Sequence, residues 1–405
     1  MRMSIGLSLP AALLAGLVSC AVIAQTAPPG SAEAPSTGPA QTEDISKRHR
    51  QTAAELVDGG IKYLLSKRDA DGGWSLGGGV AKPAVTAMVL KVLVQQPGYD
   101  TKHPAVSKGF NVLLGYRQKN GGIYNPKEGR ENYTTAVALM ALAAARDQKF
   151  QSVVNDAIKY LKGLQIIPGS ESPDGEAIKE DDPRVGGVSY GQHGRPDLSN
   201  VGMWLEALHE AGVPGDDPHI QRALIFVTKS QNRSESNPQP WAKIGTNDGG
   251  FVYAPAVRGS AGTGESKAAD PGAVGLRSYG SMTYTGFKSM LYAAVGRKDG
   301  RVQAALRWIQ RYWRLDSNPN MPAVRSQQGL YYYYHVFSKA MRAWGEPVIT
   351  DAKGNKHNWR EELIDTLKQR VKKDGSWEGD RRWYEADPIL STCYAVLALQ
   401  EALRK

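Results

Sequence analysis

The chain has 405 residues, of which 41% are hydrophobic and 22% charged, the balance of a folded protein rather than a disordered one. Its formal net charge is +10, but basic runs such as Lys47-Arg48-His49-Arg50 and Lys372-Lys373 are short and acids are interspersed with the rest. A dispersed charge of this kind argues against a nucleic-acid partner, which would concentrate it on one arm or face. Two cysteines exclude a disulfide framework and a cysteine-based metal site.

Residues 1–24 read as an export signal. Arg2 supplies a minimal positive region, and residues 5–24 form a nearly uninterrupted apolar stretch ending in small side chains. Two processing routes fit. Val22-Ile23-Ala24 is a small-residue cleavage site, whereas Leu17-Val18-Ser19-Cys20 matches a bacterial lipoprotein box that would place a lipid anchor on Cys20. Either route predicts an exported protein, whether periplasmic, envelope-attached or extracellular. Residues 25–45, rich in Pro, Ala, Ser, Thr and Gly, predict a flexible tether, and the fold is expected over 46–405.

From there the chain repeats one unit six times: an amphipathic helix, a Gly-aromatic turn, and a smoother, more apolar helix. The predicted pairs are 52–66 with 84–94, 106–117 with 133–145, and 153–164 with 198–211. They continue as 220–230 with 279–295, 302–313 with 331–344, and 359–371 with 388–403. The second helix of each pair is apolar nearly all round, as a helix buried between neighbours must be, while the first carries a solvent face. One hairpin cannot bury its own apolar side, so six are expected to close into an all-α ring with a central cavity. Longer insertions at 166–184, 233–248 and 254–276 should gather on one rim. Cys393, on an apolar helical pattern, should be a buried free thiol.

The turns read Gly72-Gly73-Trp74, Gly121-Gly122-Ile123-Tyr124, Gly186-Gly187-Val188-Ser189-Tyr190, Gly249-Gly250-Phe251, Gly329-Leu330-Tyr331 and Gly375-Ser376-Trp377. Their aromatics are expected first of all to wedge between adjacent hairpins. Repeats of this form resemble the prenyltransferase and squalene-oxidase repeats of terpenoid cyclases and protein prenyltransferase β subunits, over essentially the whole of 51–405. The resemblance implies an (α/α)6 toroid whose cavity, in that family, hosts isoprenoid chains.

The family's chemistry does not carry over residue by residue. The Asp-x-Asp-Asp acid of class II cyclases finds only Asp197-Leu198-Ser199-Asn200, with a hydroxyl in the proton-donating position. The zinc ligands of prenyltransferases would fall on Ser281, Thr283 and Ser391, and neutral hydroxyls do not hold zinc. The sequence therefore predicts neither metal nor cofactor. It points to an apolar or amphipathic small molecule, or an envelope polymer or protein, as partner. An enzyme with an unfamiliar acid/base set remains an alternative, as does a purely structural or protein-interaction ring.

The candidate site residues cluster at predicted starts of inner helices. Asp197, His193, His335 and Asp387 are the candidate acid/base groups. Asn200, Tyr284, Tyr333, Arg195 and Arg277 are the candidate ligand contacts, the two arginines as an anion-binding pair. Asp197, Asn200, Tyr284, Tyr333 and His335 are expected to converge on one cavity mouth. Helix capping is the competing role for Asp197 and its polar neighbours.

Overall fold

The computed structural model describes residues 45–171, 177–192, 194–256, 264–269 and 275–404. The 1–24 segment with Cys20, the 25–44 stretch and His193 lie outside the described residues. Six helical hairpins follow in chain order: α1 (Lys47–Ser66) with α2 (Lys82–Val94), α3 (Pro104–Leu114) with α4 (Glu131–Ala145), and α5 (Gln151–Gly163) with α6 (Leu198–Glu210). Then come α7 (Pro218–Lys229) with α9 (Gly280–Tyr292), α10 (Gly300–Arg311) with α11 (Leu330–Trp344), and α12 (Trp359–Arg370) with α13 (Pro388–Leu403). Short α8 (Pro240–Ile244) sits in the 233–248 insertion, and an antiparallel pair, β1 (Val348–Thr350) and β2 (Lys356–Asn358), joins α11 to α12. Among the described residues no helix is long and apolar enough to cross a membrane.

Helix starts explain the small shifts from the predicted bounds. α3 and α7 begin two residues early because Pro104 and Pro218 fit the first helical position, where no N–H is needed. His103 and Asp217 cap them by accepting from Ala105 N and His219 N.

The inner helices close a ring. α2 packs on α4, α4 on α6, α6 on α9, α9 on α11, α11 on α13, and α13 returns to α2. At the closing seam Gln400 Nε2 donates to Val92 O at 2.9 Å, so Val89 and Leu397 belong to neighbouring inner helices. Cys393 is buried and free.

The turn motif is a fixed joint. The backbone N–H of Trp74, Ile123, Phe251 and Trp377 each donates to a threonine one turn into the following inner helix: Thr86, Thr135, Thr283 and Thr392. The indole N–H of Trp74 and Trp377 reaches back to Leu64 O and Leu367 O of the preceding outer helix. Trp74, Phe251 and Trp377 are fully buried, as the wedge expectation requires. The first turn glycine must have positive φ and no side chain. At Gly249 (φ 81°) a Cβ would lie 2.6 Å from Ala304 O on the next outer helix. At Gly375 (φ 84°) it would lie 2.6 Å from Gly59 O of α1, so the sixth turn docks on the first hairpin and seals the ring.

Candidate functional site

All six inner helices start at one end of the lumen and finish at the other, and each shows the axis a stripe spaced three or four residues apart. On α11 the stripe is Tyr332, His335, Lys339 and Arg342; on α6 it includes Ser199, Glu206 and Glu210; on α13, Leu390, Tyr394 and Glu401. The N-terminal half of each stripe is aromatic, apolar or hydroxylic, and the C-terminal half carries a charge on every inner helix but α4.

The N-terminal half encloses a cavity of about 510 Å³, within the range of small-molecule sites. Its wall carries Tyr133, Tyr190, Tyr253, Tyr279, Tyr332 and Tyr394, with Leu76, Val85, Met88, Met282 and Leu390 between them. Trp383 and Tyr384 stand at the mouth, partly exposed. Both have positive φ, 57° and 64°, a conformation bulky side chains rarely adopt and one that concentrates at functional sites. Arg130 lies over the Tyr384 ring, 5.6 Å from its centroid. The segments linking the helices of the third and fourth hairpins reach the same rim: Tyr253 sits beneath Lys267 (4.5 Å) and beside Arg195 (5.7 Å), and both cations pair with Glu265.

Glu385 is the one carboxyl in this wall that is fully buried, at 1% exposure, and among the described residues it makes no ion pair. It stands at the head of α11, where its two oxygens accept from Tyr332 N at 2.8 Å and Tyr331 N at 3.2 Å. Burial pushes its pKa up to about 8, against the pull of the Tyr332, Tyr331 and Leu330 N–H groups. Its own backbone is pinned: its carbonyl accepts from Gly379 N (2.7 Å) and Ser391 Oγ (2.6 Å).

One to two turns further in, the lumen is plugged by ions. Lys339 Nζ lies 2.9 Å from Glu206 and 3.4 Å from Glu401, and Lys91 Nζ lies 2.6 Å from Glu210. Lys288 pairs with Glu206, and His335 Nε2 is 3.5 Å from the same carboxylate. Burial alone would raise Glu206, but Lys288, Lys339 and His335 outweigh it and hold the group well below the carboxylate range. Burial alone would lower Lys339; Glu206, Glu210 and Glu401 reverse that and raise it. Burial pulls His335 down, against the opposing pull of Glu206. Counting Arg342 and Arg404, which both reach Glu401, five cations face three carboxylates. The surplus is expected where six helix C-termini, each a partial negative charge, converge. Beyond the plug a second recess of about 310 Å³ opens at the far mouth.

The residues anticipated at one mouth are therefore distributed over three places. Asp197 is buried behind the Tyr253 wall, capping α6. It accepts from Asn200 N (3.0 Å) and Asn200 Nδ2 (2.8 Å), so Asn200 serves the cap and does not line the cavity. Burial raises the Asp197 pKa, against the Asn200 and Tyr253 donors. Arg195 is engaged with Glu265, and the Arg277 carbonyl accepts from Ser266 Oγ; the two arginines do not form a joint anion cradle in the lining. Asp387 caps α13 through Ile389 N and accepts from Gly77 N, tying hairpin six to hairpin one. His335 lies in the ion plug.

Tyr284 and Tyr333 depart furthest from the expectation. They pack edge-to-face with centroids 5.4 Å apart, and Tyr333 donates to Arg314 O (2.9 Å), outside the lumen. The reason is the 100° turn between successive helical residues: the axis is faced by Tyr332, one position earlier. The zinc-ligand positions are likewise occupied structurally. Thr283 is a turn joint, Ser281 Oγ accepts from Asn318 Nδ2, and Ser391 donates to Glu385 O. Among the described residues no group of three or more His, Cys, Asp or Glu side chains is arranged to hold a metal ion. Sequence reading missed Glu385 and the lysines and glutamates of the plug. The available signal for the plug was a charge set within a largely apolar run of each of several inner helices, at Lys91, Glu206, Lys288 and Lys339.

Solved structures share this architecture. The type II terpene cyclase MstE from Scytonema, in complex with geranylgeranyl dihydroxybenzoate, superposes with a TM-score of 0.50 at 15% identity, covering 89% of this chain and 99% of that one. An alpha-1,6-mannanase from Salegentibacter gives 0.54 at 12% identity, covering 86% and 98%. A protein from Actinoplanes gives 0.52 at 17%, covering 86% and 99%. The chain is an α/α toroid of the terpenoid-cyclase type, a fold shared with glycoside hydrolases. No protein-family model and no curated protein matches its sequence. At these identities the likeness defines the fold, and function must be argued from the cavity.

Proposed function

We propose that this chain is an exported toroid that binds an amphipathic small molecule in its aromatic cavity without the chemistry of terpenoid cyclases or zinc prenyltransferases. The observation that carries the reading is the cavity of about 510 Å³ itself, walled by aromatic faces and methionines and rimmed by Arg130, Lys267 and Glu128. Such a wall favours a flat or flexible apolar body, and the hydroxyl-bearing rim favours a polar end near the mouth. An open upper lumen supports a ligand site over a purely structural ring. Solution binding of phenylnaphthylamine, a neutral fluorophore that brightens in apolar sites, tests the reading. The wild-type protein should bind it with micromolar affinity. Met282→Trp, which fills the cavity from its wall, should weaken binding at least tenfold with the fold retained. Equal binding by both proteins would overturn the assignment. The 1–24 segment supports export, and the mass of the mature chain distinguishes a lipid-modified Cys20 from cleavage after Ala24.

A second reading, an enzyme in the same cavity, is favoured by one observation: a buried carboxyl, Glu385, in the cavity wall.

A further inference from the structure

Glu385 sits in the cavity wall with every hydrogen bond to its carboxyl donated by the protein: Tyr332 N at 2.8 Å and Tyr331 N at 3.2 Å. No cation pairs with it among the described residues. The charged and titratable groups around it are Asp380 and Asp387 on its own loop, Tyr331 and Tyr332 at the head of α11, and Tyr394 on α13. Across the cavity stand Glu128, Arg130 and Lys267. Lys267 is spent on Glu265, and Arg130 lies on the Tyr384 ring. A carboxyl in this setting is pushed toward its neutral form, and a neutral carboxyl carries a donor of its own. Among the described residues every hydrogen-bond partner of the carboxyl is a backbone N–H, so its own proton would go unmatched there, and a buried donor left unmatched is costly. The space beside it is the cavity.

We infer that Glu385 is the recognition point of the cavity: its neutral carboxyl donates a hydrogen bond to a carbonyl or ether oxygen of an uncharged amphipathic ligand. The inference rests on the cavity-binding reading and specifies the ligand class: neutral, with an oxygen acceptor at the end that reaches Glu385. Ionisation of the carboxyl removes the donor and places a negative charge against the ligand oxygen. Binding of such a ligand should therefore fall as pH rises through about 8.

The test compares two neutral naphthalene fluorophores on the full-length mature protein: prodan, which has a ketone acceptor, and phenylnaphthylamine, which has none. Taking pH from well below the Glu385 value to well above it should weaken prodan binding roughly tenfold, the worth of one hydrogen bond. The prodan emission should lose its hydrogen-bonded red shift over the same range, while phenylnaphthylamine affinity stays level. Glu385→Gln keeps the shape and an N–H donor but cannot titrate, so its prodan affinity should be independent of pH. A level prodan profile in the wild type, or the same fall in Glu385→Gln, would overturn the inference while leaving the cavity reading standing. Failure of both probes to bind would overturn both. Should Glu385→Gln not fold, the wild-type contrast between the two probes decides alone.

Discussion

The two halves of the lumen are built by the same six helices and are chemically opposite. The N-terminal half is open and largely aromatic, with one fully buried carboxyl, Glu385, that makes no ion pair among the described residues. The C-terminal half is closed by Lys91, Lys288, Lys339, Glu206, Glu210 and Glu401, joined in one continuous network of ion pairs. Both halves are buried, so burial alone does not distinguish structure from site. What does is satisfaction: in the plug each charge meets opposite charges, and in the cavity wall Glu385 meets only donors. An ion-paired network holds the ring together, whereas a buried carboxyl without a counter-ion beside open space is where the proposed ligand would sit.

The largest break in this comparison is Lys339→Met. A buried network taken as a whole contributes little net stability, because desolvating the ions cancels most of their attraction, but removing one partner strands the others. Here Glu206, Glu210 and Glu401 all lose their common cation, for a loss of about 3–5 kcal/mol, read by urea unfolding. The pH dependence has a definite sign. Glu210 is held down to about 2, so its contribution is present above its ordinary value and lost as pH falls toward that number. The deficit of Lys339→Met should accordingly shrink under acid, as protonation relieves the stranded carboxylates. A deficit that stays constant would mean that Lys339 acts by packing.

In the open half the sign reverses. Glu385 is raised from 4.5 to about 8, so its contribution to stability is fully present below the lower value and lost as pH rises through the higher. Glu385→Gln should match the wild type in acid and exceed it at alkaline pH, with a higher Tm. Curves that stay parallel across that range would place Glu385 among ordinary ionised carboxylates.

The fold was legible because it is periodic. Six Gly-aromatic turns, each followed by an apolar helix, state the architecture six times over, and errors of a residue or two at helix ends do not alter it. The site was less legible because facing the axis depends on phase. Most helix starts are legible to within two residues, but a single residue is already 100° of rotation, which separates Tyr332 in the cavity wall from Tyr333 in the outer packing. Repeat position alone put Asp197, Asn200 and Tyr284 near the mouth and could not say which way they faced. The plug was invisible for another reason. Lys91 and Glu210 are 119 positions apart in sequence, Lys339 and Glu210 are 129 apart, and only closure of the ring brings them together. Glu385 lies in a loop with no repeat signature, fixed by backbone hydrogen bonds that no sequence pattern announces.

The smallest expected effect falls on Asp197, the residue with the strongest sequence claim to a chemical role. Its carboxylate accepts from Asn200 N and Asn200 Nδ2, the work of a helix cap. An asparagine caps nearly as well, since its oxygen still accepts from the backbone N–H. The second bond would then set two amide groups against each other. Asn200 can relieve this by turning its side chain over, because its Oδ1 is buried with no partner and is free to accept. Asp197→Asn should therefore change neutral-pH stability by less than about 1 kcal/mol. Burial raises the Asp197 pKa, so the wild-type contribution is present below the ordinary value and lost as pH rises through the raised one. The balance should thus move toward the wild type in acid and toward the variant near neutrality. Since Asp197 stands behind the cavity wall, phenylnaphthylamine binding should be unchanged. A variant that folds as predicted yet loses the probe would move Asp197 from the cap to the site, and with it the boundary between the wall and what supports it.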